Sequence, residues 1–189
     1  MQENNIREVL FSEERIKKRV GELAADITRD YKDKDKPPVM VCVLKGAFMF
    51  FADLVREIKA DVDVDFVMLS SYGDSQVTGG NVKLKCDMSR DVKGRDVIIV
   101  EDIVDTGLTV KCFKELLESR GARTVKIAAL INKPSRRTVS VFPDYAGFEI
   151  PDSFVVGYGM DYAERYRTLC RVAVYSPEET EKSKKDCRI

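Results

Sequence analysis

Three carboxylates, Glu101, Asp102 and Asp105, fall within five residues, and two hydroxyls, Thr106 and Thr109, follow on either side of Gly107. Like charges held this close repel, so the grouping needs a reason. A structural one is a helix opening in which Asp105 caps and Thr106 and Thr109 satisfy free amides. A chemical one uses the same place differently. Backbone amides and hydroxyls that converge where a helix begins make a cradle for phosphate. Carboxylates beside it suit sugar hydroxyls, or a hard cation such as Mg²⁺ bridging to them. A bare phosphate would be repelled by the acids, and sugar hydroxyls with a metal remove that conflict. Neither the Walker spacing nor the dinucleotide G-x-G-x-x-G pattern is present.

The full run is Val100-Glu101-Asp102-Ile103-Val104-Asp105-Thr106-Gly107-Leu108-Thr109. Two acids followed by D-T-G-x-T after an apolar strand closely resemble the phosphoribosyl pyrophosphate-binding motif of the type I phosphoribosyltransferases. Further segments match, in order, the branch of that family acting on hypoxanthine and guanine, so the resemblance spans roughly residues 10 to 175. It implies a purine-salvage enzyme that moves 5-phosphoribosyl from phosphoribosyl pyrophosphate to N9 of the base. The products would be IMP or GMP and pyrophosphate, with Mg²⁺ as cofactor and a homodimer or homotetramer as the usual assembly.

Site roles follow from the resemblance, position by position. Thr106, Gly107 and Thr109, with the Asp105 and Leu108 amides, would hold the 5-phosphate. Glu101 and Asp102 would position the ribose hydroxyls, directly or through Mg²⁺, and Asp105, near the purine N7, is the expected general base. Leu44-Lys45-Gly46 is similar to the pyrophosphate loop, where the family often has a cis peptide. Ser71-Tyr72 resembles the start of a flexible loop that closes over the reacting centre and excludes water. Lys133 matches the lysine that donates to the purine O6, favouring 6-oxopurines over adenine, whose amino group is itself a donor. In Phe154-Val155-Val156-Gly157-Tyr158-Gly159-Met160-Asp161-Tyr162, Phe154 would stack on the base and the Val155 backbone would meet its edge. Asp161 would hold Mg²⁺ on the pyrophosphate, and Arg167 would grip the pyrophosphate with its planar fork. Gly159 stands where relatives often carry Ala, an exchange expected to be harmless.

Plainer readings exist for each residue taken alone. Lys45 fits any surface turn, Lys133-Pro134 any loop, and Phe154 a buried core strand, although that last reading leaves Asp161 and Arg167 without a reason. Other functions keep part of the set: a regulator on the same fold, a phosphoacceptor domain using Asp102 and Lys133, or a transferase for xanthine or adenine. The complete leaving-group set of Lys45, Asp161 and Arg167 favours catalysis.

Composition narrows the classes further. The chain has 189 residues and no histidine, so histidine-containing triads and histidine-ligated metals are excluded. Lysine plus arginine equals aspartate plus glutamate at 32 each, which gives no global field for nucleic acid or an anionic membrane. The five scattered cysteines form no C-x-x-C pair and point to a reduced compartment. No apolar run approaches the roughly 20 residues of a membrane span, and the amino terminus lacks a signal-peptide core. A cytoplasmic protein is therefore expected. Cys187-Arg188-Ile189 loosely resembles a peroxisome-type address, against which an ordinary frayed tail is the expected reading.

The elements that must position these residues can be read from periodicity. Ser12-Glu13-Glu14 opens a helix whose apolar face is Ile16, Val20, Leu23, Ala24, Ile27 and Tyr31. The stretch Lys32 to Pro38 connects it to a continuous apolar strand, Val39 to Leu44, of the kind covered on both faces. A helix over Ala47 to Lys59, a strand over Val62 to Ser70, a glycine-rich mobile loop over Ser71 to Asn81 and an edge strand over Val82 to Cys86 come next. Val97 to Val100 is a core strand, followed by a helix to about Arg120 that Gly121 stops. Thr124 to Ile131 is a third core strand, Phe154 to Val156 a short fourth, and Val172 to Val174 a late strand. Alternation of strands and helices indicates an α/β fold with a mostly parallel, twisted sheet flanked by helices. One domain is expected, with its core over about 36–175 and a small hood from the N-terminal segment and about 150–189.

Overall fold

The computed structural model describes residues 5–71 and 82–176. Six strands form the main sheet in the order β4-β3-β2-β5-β6-β7. They are β2 (Val39–Leu44), β3 (Asp63–Ser71), β4 (Val82–Cys86), β5 (Asp96–Val104), β6 (Thr124–Asn132) and β7 (Tyr145–Glu149). Neighbours run parallel except the edge strand β4, which is antiparallel to β3. A second, three-stranded sheet joins β1 (Ile6–Phe11), β9 (Val172–Tyr175) and β8 (Val155–Val156) in the order β1-β9-β8, all antiparallel. This smaller sheet combines the N-terminal segment with strands from the stretch 150–189 in which a hood is expected.

Burial follows the period of each element. In α1 (Glu13–Tyr31) the buried residues are the six that the helical spacing picks out, and Ser12 accepts from the Arg15 amide at its start. Along β2, Met40 and Cys42 enter one core cluster while Val39, Val41 and Val43 enter the other, as the alternation of a strand covered on both faces requires. The first cluster contains α1 and α2 (Phe48–Glu57), and the second contains α3 (Leu108–Ser119). Gly121 ends α3 with φ +83, and its amide and that of Ala122 return to Glu118 and Leu117, the pairing of a Schellman stop. Among the described residues no helix is long and apolar enough to cross a membrane.

Several boundaries differ from the sequence expectations. Strand β5 continues past Val100 to Val104, so Glu101 and Asp102 lie on a strand and not in the turn after it. Charge at a strand end had looked like the end itself, whereas pairing with β6 persists to Val104↔Asn132. The fourth parallel neighbour in that direction is β7, not the segment at 154–156, which belongs to the small sheet. β7 is short and bounded by prolines, and it contains Gly147, so its pattern reads as loop. That glycine is required, because a Cβ there would sit 2.3 Å from the Leu130 carbonyl. Arg19 of α1 then donates to the Ala146 and Gly147 carbonyls at 2.7 and 2.8 Å. β1 was also missed, since Arg7, Glu8 and Val9 are exposed and mask its alternation. Most of the loop expected over Ser71 to Asn81, Tyr72 included, lies outside the described residues.

At the end of the sheet remote from the motif, Asp96 ties β5 to β6. It is buried, accepts two bonds from the Arg123 guanidinium at 2.8 and 2.6 Å and a third from Thr124 at 2.7 Å. Arg123 foremost, then Thr124, hold its carboxyl below the usual range against the opposing effect of burial. A depressed folded-state pKa stabilises fully above the unfolded value of about 3.9, and that contribution disappears as pH falls through the folded pKa. Asp96→Asn should therefore lower the melting temperature at neutral pH and shrink the loss on acidification below about pH 4. Melting curves across pH 3 to 7, compared with the parent chain, would show it; parallel curves would mean that Asp96 contributes nothing through its charge.

Candidate active site

The carboxyl ends of β2, β5 and β6 lie side by side. The chain passes from β2 to β3 on one flank and returns to β5 on the other, so strand order reverses between β2 and β5. Open α/β sheets leave a crevice at such a junction. Here Gly46, just after β2, packs directly on Asp102 of β5, and a Cβ at Gly46 would lie 1.7 Å from Asp102 Oδ2. No other residue would let that backbone approach the carboxylate. The adjacent Leu44–Lys45 peptide bond is cis, the isomer the resemblance implies.

Beyond β5 the turn Asp105-Thr106-Gly107 enters α3. Gly107 occupies the N-cap with φ +83, and no side chain caps this helix. The reading of Asp105 as a cap is thus corrected: its carboxylate accepts from Arg136 Nε at 3.1 Å. The turn's carbonyls are held from one side. Arg137 donates to Asp105 O at 3.0 Å, to Val104 O at 3.1 Å and to Asn132 Oδ1 at 2.6 Å, with a further bond to Val141 O. The Thr138 amide takes Thr106 O at 3.1 Å. In a trans peptide the N–H points opposite to its C=O, so the Asp105, Thr106 and Gly107 amides are turned the other way. Glu101, Ile103, Val104 and Asp105 through Gly107, with Thr109 and Val110, line a cleft of about 100 Å³. Leu108 is exposed at the helix start.

Glu101 and Asp102 are successive strand residues, so their side chains leave on opposite sides. Glu101 joins the cleft, whereas Asp102 faces Gly46. Desolvation, and then the Asp102 charge, raise the Glu101 carboxyl well above its ordinary value. Asp102 is also raised, chiefly by burial, with Asp161 adding and Arg167 opposing. Two acids in this condition gain from a nearby cation. The neighbouring Cys42 thiol is pushed up to about 12 by burial and by both acids, which removes it as a nucleophile. Among the described residues no group of three or more His, Cys, Asp or Glu side chains forms a metal cage, so Glu101, Asp102 and Asp161 do not converge on one point.

Lys133 follows β6. It is buried, and its Nζ donates to Ser153 O at 2.6 Å. That bond uses one of three ammonium donors and brings the lysine beside Phe154. Phe154 does not sit in a core: its ring is 53% exposed, with edge contacts to Tyr162 and Tyr175 at 5.8 and 5.9 Å. Tyr162 stacks on Tyr175 at 4.4 Å, and the Tyr175 amide binds Phe154 O. Val155 is buried in β8. An open aromatic face next to an ammonium group suits a planar polar ring.

The third group lies on the turns after β8. Arg167 pairs with Asp161 at 2.9 Å and donates to Gly159 O at 2.9 Å. Glu164 pairs with both Lys45 and Arg167, at 3.0 Å each. Gly159 has φ +100, and a Cβ there would lie 2.1 Å from the Gly46 carbonyl. Ser71 ends β3 on the same side of the sheet.

The structure thus brings the cradle, the acids, Lys45, Lys133, Phe154 and Arg167 to one end of the sheet. Arg136 links them further, bonding Asp105 and, at 3.1 Å, Asp152. Arg136, Arg137 and Glu164 were not singled out in the sequence. The Arg-Arg pair three residues after Lys133 was the available signal, since the ends of adjacent parallel strands must meet.

A turn of backbone amides and hydroxyls beside desolvated acids, at the crevice of a parallel sheet, is the arrangement the motif resemblance implied. The chain belongs to the phosphoribosyltransferase family: the model of the phosphoribosyl transferase domain matches residues 8–163. It is 48% identical over 177 residues to a hypoxanthine-guanine phosphoribosyltransferase of Bacillus subtilis, covering 94% of this chain and 97% of that one. It is 48% identical over 162 residues to the hypoxanthine phosphoribosyltransferase of Escherichia coli, covering 86% and 91%. A crystal structure of a hypoxanthine phosphoribosyltransferase from Staphylococcus aureus is similar with a TM-score of 0.87 at 42% identity, covering 93% of this chain and 94% of that one.

Gly159→Ala tests the close packing. Forcing the side chain in should displace Gly46 or the turn, at about 1–3 kcal/mol of strain. Phosphoribosyl transfer should fall at least tenfold while the circular dichroism spectrum stays that of the parent. Full activity in this variant would show that the approach of Gly159 to Gly46 is dispensable.

Proposed function

We propose that this chain is a hypoxanthine-guanine phosphoribosyltransferase of purine salvage, forming IMP or GMP and pyrophosphate. The observation that carries the proposal is the Arg136 bridge from Asp105 to Asp152. It supports the reading because the turn proposed as phosphate cradle and the segment proposed as ring site then lie within one side chain's reach, as transfer from one bound molecule to the other demands.

The outward-held carbonyls leave the Asp105 to Gly107 amides for the 5-phosphate, joined by the Thr106 and Thr109 hydroxyls and by the Leu108 amide, which the Thr106 hydroxyl accepts from at 3.4 Å and would share. Glu101 and Asp102 take the ribose hydroxyls from the two sides of β5. Phe154 stacks on the base, Lys133 donates to its O6, and the Val155 backbone meets its edge. As the C1′–pyrophosphate bond breaks and the N9–C1′ bond forms, the base loses a proton, for which Asp105 near N7 is the acceptor. Negative charge grows on the leaving pyrophosphate and is met by Lys45, the Gly46 amide and Arg167. Mg²⁺ fits the raised pKa values of Glu101 and Asp102, with Asp161 toward the pyrophosphate, and would neutralise phosphate charge there. Ser71 and Tyr72 begin the closing loop on this reading. The whole chain acts as one transferase domain with its hood, in the cytoplasm, as a homodimer or homotetramer.

Incubating the protein with phosphoribosyl pyrophosphate, Mg²⁺ and a panel of bases, then separating the nucleotides, should yield IMP and GMP; no nucleotide from any base would favour a regulator. Asp105→Asn should cut turnover while leaving phosphoribosyl pyrophosphate binding near the parent value; undiminished turnover would remove Asp105 from proton transfer. Lys133→Ala should weaken use of hypoxanthine and guanine by about 2 kcal/mol, a charged hydrogen bond's worth. Unchanged discrimination against adenine in that variant would assign the reading of O6 to another group.

A further inference from the structure

Glu164 has no part in the reaction as derived above, yet it occupies the anion position of the site. Its two carboxylate oxygens divide between the two cations: Oε1 pairs with Lys45 Nζ at 3.0 Å, and Oε2 with Arg167 Nη2 at 3.0 Å and Nε at 3.3 Å. These are the groups assigned to pyrophosphate. A carboxylate that spans a lysine and an arginine fork engages the same cationic donors that phosphoryl oxygens would, with fewer oxygens and less charge.

The backbone beneath it is unusual. Tyr162 and Arg165 bond to each other across a two-residue turn, amide to carbonyl in both directions, at 3.2 and 3.0 Å. The two residues between, Ala163 and Glu164, have φ of 50 and 61. Turns with both central residues left-handed favour asparagine and glycine. A chain that places alanine and glutamate there accepts strain, which persists only where the surroundings enforce it. Here the enforcing contacts are those of Glu164 itself: its amide on Asp161 Oδ2 at 2.8 Å and its carboxylate on Lys45 and Arg167.

We infer that the Glu164 carboxylate is a resident stand-in for the leaving pyrophosphate, holding Lys45 and Arg167 together in the empty site and competing with the diphosphate for them. The inference rests on the proposed assignment of those two cations. Exposure shows which part would move. The side chains of Glu164 and Lys45 are 65% and 55% exposed, so the carboxylate can swing into solvent without disturbing the core. The Arg167 side chain is only 17% exposed and stays anchored by Asp161 and the Gly159 carbonyl. Substrate would meet a preassembled pair of cations, and Glu164 would reclaim them as pyrophosphate departs.

The position has a directional consequence. Damage to a structural residue weakens ligand binding, whereas removal of a competitor strengthens it. Titrating inorganic pyrophosphate calorimetrically into the full chain with Mg²⁺ should show Glu164→Gln binding about 3- to 10-fold more tightly than the parent, the scale of exposed ion pairs. Glu164→Asp, whose shorter arm cannot span both cations, should fall between the two. The KM for phosphoribosyl pyrophosphate should drop with the same order. Equal or weaker binding by both variants would overturn the inference. Lys45→Ala separates the two levels: pyrophosphate binding unchanged from the parent would overturn the assignment of Lys45 itself, and the inference with it. Weakened binding in Lys45→Ala alongside unchanged binding in Glu164→Gln would overturn the inference alone.

Discussion

Everything at this end of the molecule depends on how closely the Gly46 backbone approaches the Asp102 carboxylate. Gly46 lies on Asp102, and Gly159 lies on the Gly46 carbonyl, with gaps that no Cβ could enter. The contacts stack the loop after β2, the strand β5 and the turn after β8 in that order. Side-chain chemistry then follows from position. Lys45 precedes the first glycine, Arg167 brackets the second through its own backbone and guanidinium, and Glu101 turns away on the far face of β5. A methyl group at Gly46 would push on the Asp102 carboxylate, and one at Gly159 would push on the Gly46 backbone.

The sheet supplies the rigid frame for this stacking. β2, β5 and β6 are buried on both faces, with core clusters above and below. The smaller sheet adds what the larger one lacks, an aromatic wall facing the strand ends. Its three strands come from opposite termini of the described chain, and the aromatic cluster of Phe154, Tyr162 and Tyr175 sits where β8 and β9 pair.

Much of this was legible in the sequence because the strongest signals are local. The α1 face, the doubly covered β2 and the Gly121 stop each rest on spacing within one element. The motif from Glu101 to Thr109 was likewise legible, since residue types alone mark a cradle beside acids. What escaped was set by distant partners. β7 exists because Gly147 can lie on Leu130 and because Arg19 takes its edge carbonyls, neither of which is visible in five residues. β8 looked like a core strand because Val155 and Val156 are apolar, yet their partner is β9. Arg136 and Glu164 were passed over because a single charged residue in a loop carries no pattern until its counter-charge, 31 or 119 positions away, is known.

The Arg137 clamp leaves the two ends of the site with different kinds of attraction. On the proposed assignment, the groups that would recognise an anion at the cradle are neutral peptide dipoles, fixed in direction by bonds on their far side. At the opposite end they are full charges on long, partly exposed arms. Dissolved ions weaken interactions between exposed charges over about 10 Å at 0.1 M ionic strength but act far less on short, oriented dipole contacts. A nucleotide monophosphate and a free diphosphate would therefore respond unequally to the ionic medium, the first held by geometry and the second by charge.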